Sequence, residues 1–322
     1  MISLPMQVNF ENEFSLVHGC HICPRECGSP RTAERPGVCG ATGGFASFRV
    51  AKIMAHMWEE PFISGTNGAG TVFLSGCQLG CIFCQNHMIS RASSNIGIDL
   101  TPAELVDKLA DLIALGVHNI ELVSAGHYIP QVIELISLLR ESGNILPIIW
   151  NSSSYEKTVS LRALEGHVNI YMPDIKYADN ELALKLSKAS NYVETANRAL
   201  REMIRQQPTA KYDENGIMLC GVVVRHLVLP GCHHDSMMVI DRLSDIVDPS
   251  TPLSLMSQYT PAKDLLKTSL ADNKPLHRRL TTYEYNKVID HAIARGFKNI
   301  LCQERSSAKS DYTPDFSSFF RT

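Results

Sequence analysis

The sequence predicts an α/β protein built on a parallel sheet with crossover helices, preceded by a short cysteine-rich element. From Thr71 onward, short apolar runs rich in β-branched residues alternate with longer helical stretches, the pattern of strands joined by crossover helices. Counting from Val72 gives about six such strands before a late short one at the tail, fewer than the eight of a closed barrel. Ahead of them, residues 18–44 read HGCHICPRECGSPRTAERPGVCGATGG, dense in Cys, Gly and Pro and almost without periodicity. A segment this short and poor in apolar residues cannot bury a core of its own, so a bound metal is its natural staple.

Length and composition set outer limits. At 322 residues the chain is long enough for one large domain with an appendage, or for two small ones. Its 44% hydrophobic and 20% charged residues are ordinary for a globular protein. A formal charge of −3 gives no electrostatic footprint for nucleic acid or anionic membrane. No apolar run approaches the ~20 residues of a membrane span. The opening MISLPMQVNFENEF lacks the basic-then-apolar plan of a signal peptide, so a cytoplasmic protein is expected. Ten cysteines in such a chain point to metal ligation before disulfides. Seven of the ten precede residue 85, which concentrates the metal chemistry there.

The elements follow in order. FASFRVAKIMAHMWEE, residues 45–60, suits one or two strands, with Met54, Met57 and Trp58 as packing residues. SGTNGAG at 64–70 reads as a connector and Thr71–Ser75 as the first parallel strand. Thr101 with Pro102 and Glu104 forms a capping box opening a helix whose stripe is Leu105, Leu109, Leu112 and Ile113. Strands are then expected at 119–123, 147–150, 168–172, 222–229, 253–256 and 299–301. Helices are expected at 130–140, near 180–206, at 236–246 and at 282–295. The division that results is an N-terminal element and connector over 1–68, a main domain over 69–301 and a tail over 302–322.

Two cysteine sets carry the chemistry. The strand ending at Ser75 and Gly76 runs into Cys77, Cys81 and Cys84, spaced C-x3-C-x2-C. Three thiols on one short loop are an iron–sulfur signature, because thiolates are the ligands such clusters take. Electron-transfer clusters ordinarily use four cysteines, so three leave one iron of a four-iron cluster open. Gly76 and Gly80 let the backbone wrap closely around it. The bland readings are a zinc site completed by a histidine such as His87, or a disulfide loop. The second set, Cys20, Cys23, Cys27 and Cys39, is spaced C-x2-C-x3-C-x11-C. Four thiolates suit a closed tetrahedral zinc site or a second iron–sulfur cluster, and spacing does not separate the two.

The motif Cys77-x3-Cys81-x2-Cys84, with Phe83 before the last cysteine, resembles the signature of the radical S-adenosylmethionine (SAM) superfamily. Gly76 and Gln85-Asn86 make it most similar to the pyruvate formate-lyase activating-enzyme-like branch, and to an uncharacterised subgroup with an extra N-terminal cysteine set. The resemblance covers the chain from about Cys20 to the helix near residue 295. It implies a partial (βα)6 barrel and a 4Fe-4S cluster whose open iron binds SAM. It also implies one electron from a ferredoxin or flavodoxin-like donor, cleaving SAM to methionine and a 5′-deoxyadenosyl radical that abstracts hydrogen from a substrate.

In parallel architectures the working residues gather at the C-terminal strand ends. After the cluster loop, the second end is Ser124-Ala125-Gly126-His127, where the branch carries Gly-Gly-Glu; only backbone contacts at Ser124 and Ala125 carry over. His127 is a lone histidine at a loop start, more often packing than catalytic. At the third end, Asn151 and Ser152 stand where relatives place an Asp-Thr turn, and Ser153 or Ser154 could instead cap a helix. The fourth, Met172-Pro173-Asp174-Ile175-Lys176, puts Met172, Asp174 and Lys176 on one face. It resembles the family's Asp-x-Lys motif, in which the lysine meets SAM's carboxylate. An ammonium and a carboxylate suit a zwitterion, although such a pair can also be a surface ion pair. The fifth end, RHLVLPG at 225–231, offers Val228 and Leu229 as apolar walls for adenosine. Cys232, His233, His234 and Asp235 stand in a row that cannot converge on one ion, so a loop or helix cap is expected there. The sixth end brings Gln258 and Tyr259.

The expected function is reductive cleavage of SAM and hydrogen abstraction from a substrate that the sequence does not identify. A glycyl residue of a partner enzyme, a small molecule and another protein side chain are all compatible. No catalytic side chain is singled out. The rival of another class is a non-catalytic iron–sulfur or zinc redox sensor, suggested by the missing Gly-Gly-Glu and Asp-Thr residues and opposed by Asp174, Lys176 and the three-cysteine set.

Overall fold

The structure is a computed structural model that describes residues 14–94, 96–262, 265–267, 270–303 and 314–316. The first strand, β1 (Phe48–His56), runs antiparallel to β2 (Ala69–Leu74), and the short helix α1 (Pro61–Ser64) lies between them. The cluster loop and α2 (His87–Ser90) follow, then β3 (Ile98–Leu100), which pairs antiparallel with the outer edge of β1. From there strand and helix alternate: α3 (Pro102–Ala114), β4 (Ile120–Val123), α4 (Ile129–Glu141), β5 (Ile148–Ser152), α5 (Thr158–Arg162) and β6 (Ile170–Pro173). Next come α6 (Asn180–Ser187), α7 (Tyr192–Gln206), β7 (Lys211–Tyr212), β8 (Met218–Val222) and β9 (Val224–Leu227). The chain continues through α8 (His233–Ser244), β10 (Leu253–Met256), α9 (Thr282–Ala294) and β11 (Ile300–Cys302).

β2, β4, β5, β6 and β8 are parallel neighbours in an eight-stranded sheet ordered β3-β1-β2-β4-β5-β6-β8-β7. β9, β10 and β11 form a second, parallel sheet. The expected single strand over 222–229 is therefore two. The Val223 N–H bonds the Tyr171 carbonyl at 2.9 Å, while the Val224 N–H bonds the Pro252 carbonyl at 2.9 Å, so the chain changes partner between adjacent residues. A parallel bridge between Asp174 and Arg225 joins the two sheets just past that break.

Helix boundaries follow local chemistry. Thr101 accepts from the Glu104 N–H and Glu104 reaches back to the Thr101 N–H at 2.8 Å, the expected capping box; Leu105, Leu109 and Leu112 are buried beneath it. Thr281 and Glu284 repeat the device at the start of α9. The predicted helical stretch 180–206 is divided at a left-handed Lys188. The row Cys232–Asp235 lies at the start of α8, as a loop-to-helix transition.

The inward face of the parallel strands is layered by the two-residue period of strands. Ile149, Met172, Met218 and Val223 make an apolar floor with Ile63, Ala69 and Ile170. One pleat further along lie Thr71, Glu121, Asn151, Asp174 and Arg225, all polar. Phe316, from the little of the tail that is described, packs edge-on against Phe73 with ring centroids 5.6 Å apart.

Residues 14–47 form no helix or long strand and are fastened to the sheet by hydrogen bonds. Arg25 donates to the carbonyls of Gln78 (2.9 Å), Leu79 (3.0 Å) and Ser187 (2.7 Å), and also to that of Lys188. The Cys77 N–H bonds the Cys39 carbonyl at 3.2 Å, so the two cysteine sets touch through their backbones. Gly76 makes the approach possible: its φ is +87°, and a Cβ there would clash with the Cys39 carbonyl oxygen. Gly76→Ala should cost about 1–3 kcal/mol from backbone strain alone. A urea midpoint of the metal-free protein that does not move would contradict this account of the junction.

Candidate active site

One cavity of about 550 Å³, within the usual range for ligand sites, lies over the inward faces of both sheets. Cys77, Cys81 and Cys84 line it, as do Ser124, Asn151, Ser152, Asp174, Lys176 and Gln258. Residues from the ends of β4, β5, β6 and β10 and from the cluster loop therefore share one space. Three expected contacts, Ala125, Val228 and Leu229, are not among its walls. Ala125 is packed in the core at the start of a 3-10 turn. Val228 faces the other way because Arg225 and Leu227 point inward, and strand alternation sends His226 and Val228 to the opposite side. His127 is also absent from the lining. It is buried, its Nε2 lies 3.2 Å from the Ser75 carbonyl, and burial pushes it down to about 3, so it is a neutral packing residue. Tyr259 is buried with its hydroxyl donating to the Leu276 carbonyl.

Polar groups beneath the cysteines form a continuous network. Lys176 Nζ donates to Asp174 Oδ2 at 2.9 Å. Arg225 donates through Nε to Asp174 Oδ1 (2.9 Å), through Nη1 to Glu59 Oε2 (2.8 Å) and through Nη2 to Asn151 Oδ1 (2.6 Å). Asn151 Nδ2 then donates to Glu121 Oε1 at 2.6 Å, and Thr71 Oγ1 to Glu121 Oε2 at 2.7 Å. Burial pushes the Asp174 carboxyl up, but Arg225 and Lys176 outweigh it and hold it below its ordinary value. Lys176 is the mirror case. Burial alone would lower it, and Asp174 followed by Cys81 raises it instead, so both ends of this pair are charged. Glu59 is pushed up to about 8, first by burial and then by Glu121, against the pull of Arg225.

Sequence reasoning missed Arg225, Glu59 and Glu121 as members of this network. Arg225 and Glu59 are adjacent only in space, and nothing in either local segment signals the other.

The cluster loop suits a metal by its donor chemistry. Burial pushes the Cys84 thiol up to about 11 and Cys81 in the same direction, so thiolates here need a nearby positive charge such as a metal. Ser187 Oγ also donates to Cys81 Sγ at 3.1 Å. The N-terminal four behave alike: burial pushes Cys23 to about 12 and Cys39 to about 11, and Cys23 feels the charges of Cys39, Cys20 and Cys27. Beside them Arg31 is buried, with its guanidinium over the rings of Phe45 (5.0 Å) and Tyr128 (5.5 Å). Its Nε and Nη1 have no hydrogen-bond partner, and its charge pulls the Cys39 thiol down against burial. A buried cation with idle donors beside four thiols matches a negatively charged metal–thiolate centre. Among the described residues no three Cys, His, Asp or Glu side chains close on a single ion. A four-iron cluster takes each thiolate at a separate iron and does not require that convergence.

The family model for the radical SAM superfamily matches residues 71–231, half of the chain. The chain therefore belongs to that superfamily. It is an enzyme that uses a 4Fe-4S cluster and S-adenosylmethionine, cleaving SAM and working by radical chemistry. An uncharacterized protein of Methanocaldococcus jannaschii is 27% identical over 285 residues, covering 86% of this chain and 75% of that protein. Among solved structures, methylornithine synthase is 17% identical with a TM-score of 0.48, over 76% of this chain and 75% of its own. A spore photoproduct lyase variant with dinucleoside spore photoproduct is 10% identical with a TM-score of 0.46, over 71% and 74%. SuiB of Streptococcus suis bound to S-adenosylmethionine is 12% identical with a TM-score of 0.43, over 73% and 46%. Among the described residues no helix is long and apolar enough to cross a membrane.

The raised Glu59 carboxyl fixes a pH dependence. Folded Glu59 keeps a proton that the unfolded chain loses near 4.5, so its stabilising contribution is complete below that value and is lost as pH rises to about 8. Urea midpoints measured from pH 5 to 8 should fall less steeply in Glu59→Gln than in the parent protein.

Proposed function

We propose that the cavity is the active site of an activating-enzyme-like radical SAM protein on a partial (βα)6 barrel, with the N-terminal cysteines forming a second metal centre. The observation that carries this reading is that Cys77, Cys81 and Cys84 share one cavity with the charged pair Asp174–Lys176. In it, the three thiolates hold the 4Fe-4S cluster and leave one iron for SAM. The Lys176 ammonium meets SAM's carboxylate, and Asp174, locked by Arg225, keeps that ammonium in place. Ser124, Asn151, Ser152 and Gln258 supply hydrogen bonds around the rest of SAM. The buried walls exclude water and fix the reacting carbon, which is the protein's part in such chemistry. A ferredoxin or flavodoxin-like protein in the cytoplasm delivers the electron. The hydrogen donor is a small molecule or a protein residue, a glycyl residue of a partner enzyme included.

For Cys20, Cys23, Cys27 and Cys39 the occupant is zinc or a second iron–sulfur cluster, either of which four thiolates accept.

The deciding assay is anaerobic reduction of the reconstituted protein with SAM, followed by measurement of methionine and 5′-deoxyadenosine. Production by the parent and none by the Cys77→Ala, Cys81→Ala, Cys84→Ala triple variant is expected; no cluster and no SAM binding in the parent would overturn the reading. Asp174→Asn should weaken SAM binding at least tenfold, since removing one partner of a buried charge pair costs about 2–5 kcal/mol. Iron, sulfide and zinc per chain in the triple variant decide the occupant of the N-terminal four: retained iron and sulfide assign a second cluster, and zinc alone a structural ion.

A further inference from the structure

We propose that the end of the cavity formed by His56, Trp58, Glu59 and Glu60 is a subsite for a protonated amine or a guanidinium group on the substrate. The inference rests on the reading of this cavity as the active site and adds the chemical class of what enters it beside SAM. All four residues line the same cavity as the cluster cysteines. They sit at its other end: His56 pairs with Ala69 at the start of β2, whereas Cys77 follows the end of that strand, roughly 16 Å away by strand rise.

The strongest observation is an unanswered carboxylate. Glu60 is only 9% exposed, and its Oε2 is buried without a hydrogen-bond partner. Among the described residues no Lys, Arg or His forms an ion pair with it. Arg225, the nearby cation, already has Nε, Nη1 and Nη2 engaged with Asp174, Glu59 and Asn151. Buried polar atoms in folded proteins are nearly always satisfied, and an exception lining a cavity points to something that binds there.

His56 supplies a second, independent sign. It is 5% exposed, its Nε2 lies 3.7 Å from Glu59 Oε1, and its Nδ1 is buried without a partner. Nδ1 is thus a second buried polar atom without a partner at this end of the cavity.

Trp58, 53% exposed at the rim, adds an aromatic ring of the kind that attracts cations.

The test uses the full, reconstituted chain and three probes of equal length: n-butylammonium, n-butanol and butyrate, with methylguanidinium as a fourth arm. Titration followed by calorimetry or ligand-observed NMR should show saturable binding of one or both cations and at least tenfold weaker binding of the alcohol and the acid. Preference for butylammonium or for methylguanidinium distinguishes an amine substrate from a guanidine one. Glu60→Gln, which keeps the shape and the backbone carbonyl, should raise the cation's Kd at least tenfold. Glu214→Gln, which removes an exposed charge elsewhere, should leave it unchanged. If Glu60→Gln does not fold, the parent protein still decides: equal affinity for butylammonium and butanol would overturn the proposal. Repeating the titration on the Cys77→Ala, Cys81→Ala, Cys84→Ala variant separates the two readings, because the subsite needs no cluster and cation binding should persist there.

Discussion

Arg225 enters the cavity from β9 and divides its three nitrogens among Asp174 after β6, Asn151 on β5 and Glu59 before α1. A buried guanidinium is costly to desolvate, and only near-complete pairing offsets that cost. Each partner is therefore held to a particular place, and the segments bearing them are held with it. The bridge between Asp174 and Arg225 is also where the two sheets join. One ion pair thus sets the relative position of the sheets, the Asp174–Lys176 clamp and the polar layer below the cluster loop. Removal of the arginine would strand three buried groups at once, so this position couples stability to the geometry of the site.

The cluster loop has a comparable dependence on the segment ahead of the first strand. Arg25 satisfies carbonyls at 78 and 79 inside the loop and at 187 and 188 at the end of α6. Those carbonyls belong to turns that no ladder could satisfy, and a single guanidinium closes them. Arg31, a few residues on, is buried without a carboxylate and faces thiols instead. The two arginines do different work: one ties irregular backbone together, the other places positive charge where metal–thiolate negative charge is expected.

Much of this was legible in the sequence. The order of strands and helices, the capping box at Thr101 and the convergence of Cys77, Asn151, Asp174, Lys176 and Gln258 follow from periodicity, local cap chemistry and the strand-end rule. What was not legible depended on long-range pairing. The break at Val223 exists because β6 and β10 compete for one stretch of chain, and local apolar character is the same on both sides of it. Val228 was placed in the site by motif position, but alternation from Arg225 turns it away. Glu59 and Glu60 stand at the end of a stretch read only as one or two strands, and only the fold shows that they face the cavity. Buried charges are hard to read from a chain because what makes each tolerable is supplied by residues far off in sequence.

The backbone contact between Cys39 and Cys77 has a consequence for how such a chain can change over generations. Segments with their own cysteine sets are often pictured as modules gained or lost by recombination at a linker. Here the carbonyl of residue 39 rests where a side chain at residue 76 would project, so the leading segment forms one wall of the loop that follows it. Exchange of either part with that of a distant relative would bring a misfit at residue 76 and four unanswered carbonyls where Arg25 had been. The two cysteine sets fit together as a single unit, so the effect of a substitution at residue 76 depends on the chain at residue 39.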